Sequence, residues 1–411
     1  MAALKGMNYL KRKLVQKTGR AELRYAFYEM KHKAADFGIS TPDNLKGYTA
    51  VLGWCGKAVD SLADRLVFRE FKDDNFDMTQ IFSLNNPDVL FDSAVLSAMI
   101  TSCSFIYISR DDDGYPKLQV IDGRNATGNL DPITGLLTEG YAVLERDPET
   151  DAATLEAYFI PGMTYFYSGG TLVKTSRYKA DYPMLVPIIY RPDAKRPFGH
   201  SRISRACMYL VDGAMRTAKR SEISAEFYSF PQKWVTGVSQ DAEDMDRWKS
   251  AISYMLKFTE NDSGVNNVRT GSYPQQSMTP HLEQLKMFAS AFAGETGLTL
   301  DDLGFPQENP SSAEAIKAAH ENLRLTARKA QRTFGTGFLN AGYLAVCLRD
   351  DYAYRRNAIY LTKPTWEPIF EPDAAMLAGI GDAVLKLNQA IPEYVNDEKM
   401  REILFYLLGL H

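Results

Sequence analysis

The sequence predicts an α+β protein with more than one packed region, and three observations carry that expectation. Apolar residues recur at helical spacing in both halves of the chain. Between them, a run of short strands divided by Gly, Pro and Asp turns occupies 105–178. The 411 residues, 45% of them apolar, are also too many for one ordinary core.

Residues 1–33 hold Lys5, Lys11, Arg12, Lys13, Lys17, Arg20 and Arg24 against few acids, which reads as a partly ordered amphipathic arm. Such an arm is more often a solvated helix face than a DNA contact. Helical pattern is expected from Leu45, where Trp54, Ala58, Leu62 and Leu66 form a stripe widened by Val59 and Ala63, and again over 87–100. The period then changes. Strands 105–108 and 117–121 flank the turn Asp111-Asp112-Asp113-Gly114, which lacks the remaining ligands of a calcium loop. Strands at 141–146, 154–160, 163–167 and 171–178 extend an antiparallel meander.

A proline-rich connector over 183–197 ends the strands, and helix resumes over 201–228. Ser239 can cap another helix whose apolar stripe is Met245, Trp248, Ile252, Met255 and Leu256. Residues 261–278 are polar and read as an exposed loop or a small strand pair. Thr279-Pro280 starts a helix with Leu282, Leu285, Phe288, Ala289 and Phe292 on its buried face and Gly297 as its stop. A loop over 298–310 carries Asp301, Asp302 and Glu308, followed by Asn309. Ser311 through Glu314 has capping-box spacing and opens a longer helix. Ile316, Ala319, Leu323, Ala327, Ala330 and Phe334 line one side of it. Lys317, Arg324, Arg328 and Arg332 line another, with Glu321 as an ion-pair partner. Gly335 and Gly337 within this pattern point to a kink or a close crossing.

Several function classes find no support in these residues. A net charge of −4 argues against a protein that coats nucleic acid. Cys55, Cys103, Cys207 and Cys347 are far apart among apolar neighbours, as reduced cytosolic thiols are, and the five histidines form no ligand pair. No apolar run is long enough for a membrane span and no signal-peptide pattern opens the chain, so a soluble product made inside the cell is expected. Ser201 adjoins His200 without the rest of a nucleophilic triad, Asp60 and Asp64 read as helix-surface charge, and no Walker motif is present. No enzyme, cofactor or metal is expected.

Four blocks in order resemble the portal proteins of siphovirus-type tailed phages. They are Trp54 with Ala58 through Leu66; Val186-Pro187 through Gly199-His200-Ser201-Arg202-Ile203; Asp212 through Thr217 running to Phe230-Pro231-Gln232; and Asn309 through Ile316 preceded by Thr296-Gly297 and Leu303-Gly304. The resemblance spans about residues 45–345 and is weak in 1–44 and in the tail.

The resemblance implies a ring, usually of twelve copies, at one capsid vertex. Double-stranded DNA would enter and leave through it without sequence specificity, and no membrane partner is expected. Terminase large subunit, major capsid and scaffold protein and a head–tail adaptor are the implied partners, with assembly in the host cytoplasm. Another virion component, an adaptor or minor capsid protein, is the alternative. The implied map runs: wing 1–230 with the arm 1–44, paired stem helices 239–260 and 280–297, and a clip 261–279 including Asn266, Asn267 and Arg269. It continues with a tunnel loop 298–310, a long helix 311–345, a return segment 346–369 and a helical crown 370–411. Asp301, Asp302, Glu308 and Asn309 would line the channel. The acids would repel DNA phosphates rather than grip them. The basic stripe of Lys317, Arg324, Arg328 and Arg332 would face either the channel or acids of the next subunit.

Overall fold

The computed structural model describes residues 4–36, 46–229, 233–238, 255–259, 269–272, 277–306, 318–370 and 374–392. The chain divides into two compact units, one from 1–29, 55–204 and 310–411 and the other from 30–54 and 205–309.

The first unit opens with helix α1 (Met7–Tyr28), ordered because Leu10, Leu14, Ala21 and Phe27 are buried. Helix α2 (Trp54–Ala63) begins at Trp54, later than the expected start at Leu45; residues 46–53 hold no helix. Strand β1 (Phe68–Lys72), α3 (Met78–Ser83) and α4 (Pro87–Thr101) follow. The expected meander is present as β2 (Cys103–Arg110), β3 (Pro116–Ile121), β5 (Leu137–Arg146), β6 (Ala153–Ile160), β7 (Met163–Ser168) and β8 (Thr171–Arg177), with β4 (Ala126–Leu130) as a further, unexpected strand. It is split into two sheets. Strands β4 to β8 form a five-stranded antiparallel sheet in chain order, while β2 lies between β3 and β9 (Leu185–Ile189).

Strand β9 corrects the reading of 183–197 as a connector. Pro187 pairs opposite Phe105 at the sheet edge, where the missing amide costs no ladder bond. Between the sheets lies a core of Phe105, Ile121, Leu137, Phe159 and Leu185.

Helix α7 (Glu321–Arg349) runs through this unit, following helix α6 (Thr279–Thr296) of the second unit. The long helix was expected over 311–345. Its described part begins after a turn at His320, whose ring stacks on Phe370, and continues to Arg349. Residues 311–317, including the capping box and Lys317, lie outside the described residues. The two glycines mark a close crossing. A Cβ on Gly335 would lie 2.7 Å from Pro364 Cγ, and one on Gly337 2.8 Å from Ile188 Cδ1. Their bare backbone lets Phe338 reach the rings of Phe68, Phe91 and Trp366. Trp366 lies on β13 (Lys363–Trp366), which pairs with β1 across almost 300 residues of sequence. Helix α8 (Ala374–Ala390) closes the described chain.

The second unit is built on α5 (Arg205–Ser229) and α6 (Thr279–Thr296) lying side by side. Gly213 leaves room for the Phe288 ring, Thr217 Oγ1 donates to Gln284 Oε1 at 3.1 Å, and Ser224 bonds His281 at 3.4 Å. This packing places 205–229 outside the unit that holds most of the expected wing, 1–230. Residues 30–36 join α5 through His32–Asp212 and Lys219–Asp36 at 2.9 and 3.0 Å.

A three-stranded sheet places β10 (Lys233–Val238) between β11 (Met255–Thr259), which is parallel to it, and β12 (Arg269–Ser272), which is antiparallel. Met255–Thr259 is therefore a strand and not the last turn of a helix over 239–260. Its backbone bonds β10, a segment whose sequence carries no helical stripe. The rest of that expected helix, 239–254, lies outside the described residues.

Candidate functional site

Helix α6 positions the loop behind it. Its entry differs from the expected Thr279 cap: Met278 is the flanking residue, and Ser277 Oγ accepts the Thr279 amide at 3.1 Å. Gly297 ends it with φ 72°, as expected. The chain then winds a single 3-10 turn over Asp301–Leu303. The two acids of this turn are not equivalent. Asp302 Oδ2 accepts from the Thr299 amide and hydroxyl, both at 2.9 Å, while the Asp302 amide donates to Thr299 Oγ1 at 3.2 Å. Asp302 thus closes its own turn, and Asp301 is the exposed acid. Glu308 and Asn309 lie outside the described residues, as do Asn266 and Asn267. Arg269 is exposed on β12, paired in register with Thr236.

On α7 the apolar side is buried as expected through Leu323, Ala327, Ala330 and Phe334. Along the other side, Arg324 makes a bidentate pair with Glu321, Nε to Oε2 at 2.7 Å and Nη2 to Oε1 at 2.6 Å. That hydrogen bonding holds the Glu321 carboxyl below the usual carboxylate range and raises Arg324. Arg328 and Arg332, one and two turns on, are exposed. Of the four cations expected to act together, one is thus neutralised by its own helix and two are displayed to solvent.

The serine, histidine and aspartate singled out in the sequence are each hydrogen-bonded within the fold. Ser201 is buried and donates to Ile100 O at 2.6 Å, while His200 bonds Asp193 at 2.6 Å. Asp60 accepts from Tyr28 Oη at 2.9 Å. All four cysteines are buried and none is in a disulfide. Among the described residues no cluster of metal-ligating side chains occurs, and no helix is long and apolar enough to cross a membrane.

A sequence model of the family described as phage portal protein, SPP1 Gp6-like, matches residues 8–368. The chain belongs to that portal protein family. The match takes in 8–44, where the resemblance read from sequence was weak. The portal protein of Mycobacterium phage D29 is 24% identical over 345 residues, 78% of this chain and 70% of the relative. That of Mycobacterium phage L5 is 22% identical over 347 residues, 78% of this chain and 69% of the relative. Chains in solved structures of a native gene transfer agent virion and of its neck computed with C12 symmetry align with TM-scores of 0.47 and 0.46. They are 12% and 11% identical, covering 87% and 84% of this chain and 90% and 88% of theirs. The portal family is a structural component of the virion.

The basic arm, expected as a solvated helix face, instead has Lys13, Lys17 and Arg24 half-buried and only Arg20 of this group exposed. Lys13, Lys17, Arg20 and Arg24 recur at helical spacing and share one face of α1. The signal was the four-three-four interval itself.

Proposed function

We propose that this chain assembles into a closed ring, of twelve copies in the family pattern, at one capsid vertex, where its channel passes double-stranded DNA during packaging and ejection. The observation that carries the reading is the family match across residues 8–368, which includes both compact units. In that ring the α+β unit serves as wing, and α6, packed on α5, contributes to the stem. The small sheet β11-β10-β12, with Arg269 exposed, serves as the clip facing the terminase large subunit or the head–tail adaptor. Residues 370–411 form the crown. Major capsid and scaffold protein surround the wing, and the ring is assembled in the host cytoplasm before DNA enters.

The loop 298–310 lines the channel. Asp301 presents the repelling charge, Asp302 fixes the turn that holds it there, and Glu308 and Asn309 continue the same lining. Repulsion suits the task, because each phosphate neutralised by the wall would add salt-dependent affinity and so friction. The stripe of Lys317, Arg328 and Arg332 faces the channel or a neighbouring subunit, while Arg324 is occupied by Glu321.

Imaging of the virion without imposed icosahedral symmetry tests the reading. A ring of this chain at a single vertex, continuous with the tail, is expected. The chain at every vertex, or in the tail shaft alone, would overturn it.

A further inference from the structure

The basic face of α1 is half-buried rather than splayed into solvent. It borders a cavity of about 240 Å³ lined by Lys17, Arg20, Arg24, Thr101, Arg196 and Phe198. The Lys17 and Lys13 ammoniums stand 4.5 and 5.2 Å from the centre of the Phe198 ring. Lys13 Nζ donates to Gly128 O at 2.6 Å and Asn129 Oδ1 at 3.0 Å, and Arg24 donates to Thr101 O at 3.3 Å. Among the described residues no carboxylate lies within ion-pair distance of Lys17, Arg20 or Arg24, and Arg196 meets only the ring of His200 with its guanidinium.

The arrangement is costly for an isolated subunit. Burial, then the neighbouring Lys17 and Lys5, bring the Lys13 ammonium down to about 8, and burial followed by Arg20 lowers Lys17 and Arg24. Glu139 attracts Lys13 from a distance and Asp193 accepts the Arg196 amide. Lys17 and Arg24 nevertheless stay partly desolvated beside like charges, a cost that an added carboxylate would offset.

We propose that this pocket receives a carboxylate-bearing segment of a second copy of the chain, so that α1 of one subunit is pinned by acids of its neighbour. The proposal rests on the ring reading above. Charge balance favours this occupant. Residues 1–33 hold nine Lys and Arg against Glu22 and Glu29, a surplus of seven. With the whole chain at −4, the remainder carries an acidic surplus of eleven, so each copy offers what the next one lacks. The form of the pocket points the same way. Its cations line a concavity walled by the Phe198 ring, with a volume of about 240 Å³ that admits a side chain or two. Arginine forks suit paired carboxylate oxygens.

The test uses full-length protein. Rings assembled from a mixture of isotopically light and heavy subunits are treated with a carbodiimide, which joins a carboxylate to a lysine amine in contact as an amide and takes up the lost water as a urea. The expected product is a light–heavy peptide pair linking Lys13 or Lys17 to an Asp or Glu. In parallel, Arg20→Glu with Arg196→Glu, both exposed, should melt at or slightly above the parent, because a glutamate at position 20 pairs Lys17 and Arg24. The double variant should nonetheless form rings at least about tenfold less well at low salt, since the new acids repel the incoming carboxylates. Rings that form normally from the double variant and yield only single-isotope links would overturn the pocket assignment while leaving the ring reading standing. A variant that keeps its rings but loses retained DNA would overturn the occupant in favour of nucleic acid. Parent protein that forms no ring at any salt concentration would overturn both.

Discussion

Helices α1 and α7 both carry basic residues at helical intervals and treat them in opposite ways. On α7, Arg324 is satisfied by Glu321 one turn earlier, and Arg328 and Arg332 stand in solvent. On α1, Lys13, Lys17 and Arg24 are turned inward against main-chain carbonyls and the Phe198 ring, with no carboxylate among the described residues at ion-pair distance from Lys17 or Arg24. A charged stripe in a sequence therefore says which residues share a face, but not what that face costs. The cost depends on whether a counter-charge lies one turn away and on how much of the stem is covered.

The two helices also differ in how they are held, and there the largest effect is expected. Helix α7 is fixed by ring packing, so Phe338→Ala should lower stability by about 3–5 kcal/mol in denaturant unfolding, as large aromatic truncations in cores do. A loss much below that range would mean that the cluster around Phe68, Phe91 and Trp366 is not the keystone of the first unit.

Helix α1 is instead tethered by a buried carboxylate. Glu139 accepts the Lys5 and Gly6 amides at 2.8 and 3.0 Å, Asn129 Nδ2 at 2.7 Å and Tyr158 Oη at 2.9 Å. Burial alone would push its carboxyl up, but these donors outweigh burial and hold it below the usual range. Glu139→Gln should cost about 1–3 kcal/mol near neutral pH. The sign of the pH effect follows from the depressed folded value. The stabilisation is complete above the carboxyl's ordinary 4.5 and disappears as pH falls through the lower folded value. The gap between parent and variant should therefore close on acidification, and a gap that widened would reverse the assignment.

A smaller effect of opposite sign separates the two basic faces. Lys17→Met removes a desolvated charge and should raise the unfolding free energy of the isolated subunit by roughly 0.5–1 kcal/mol, while weakening ring formation. Loss of stability would show that Lys17 is already compensated within its own subunit. The smallest effect belongs to α7: Arg324→Ala, which breaks only an exposed pair on one helix, should leave the midpoint unmoved.

Elements with a local signature could be read directly. The Asp111–Gly114 turn announced the β2–β3 hairpin, the apolar interval from Leu323 to Phe334 announced α7, and Gly297 announced the end of α6. What escaped depended on distant partners. Strand β9 carries Pro187, which reads as a strand breaker until β2 is seen to accept it at an edge. The β1–β13 pair joins segments with nothing between them to suggest it. Met255–Thr259 fitted a helical stripe because Met255 and Leu256 continue one, and only pairing with Lys233–Val238 makes it a strand.

The candidate site was legible to the same extent. Glu321 beside Arg324 follows from spacing, whereas the use of Asp302 to close its own turn depends on where Thr299 points. The channel assignment came from family resemblance rather than from any charge pattern.

The most direct test of the portal account is the mass and image of the purified full-length protein. The account predicts a discrete ring with a central hole, at a mass that is a whole multiple of the 46.2 kDa chain and twelve-fold in the family pattern. A strictly monomeric particle at every salt and protein concentration would contradict it.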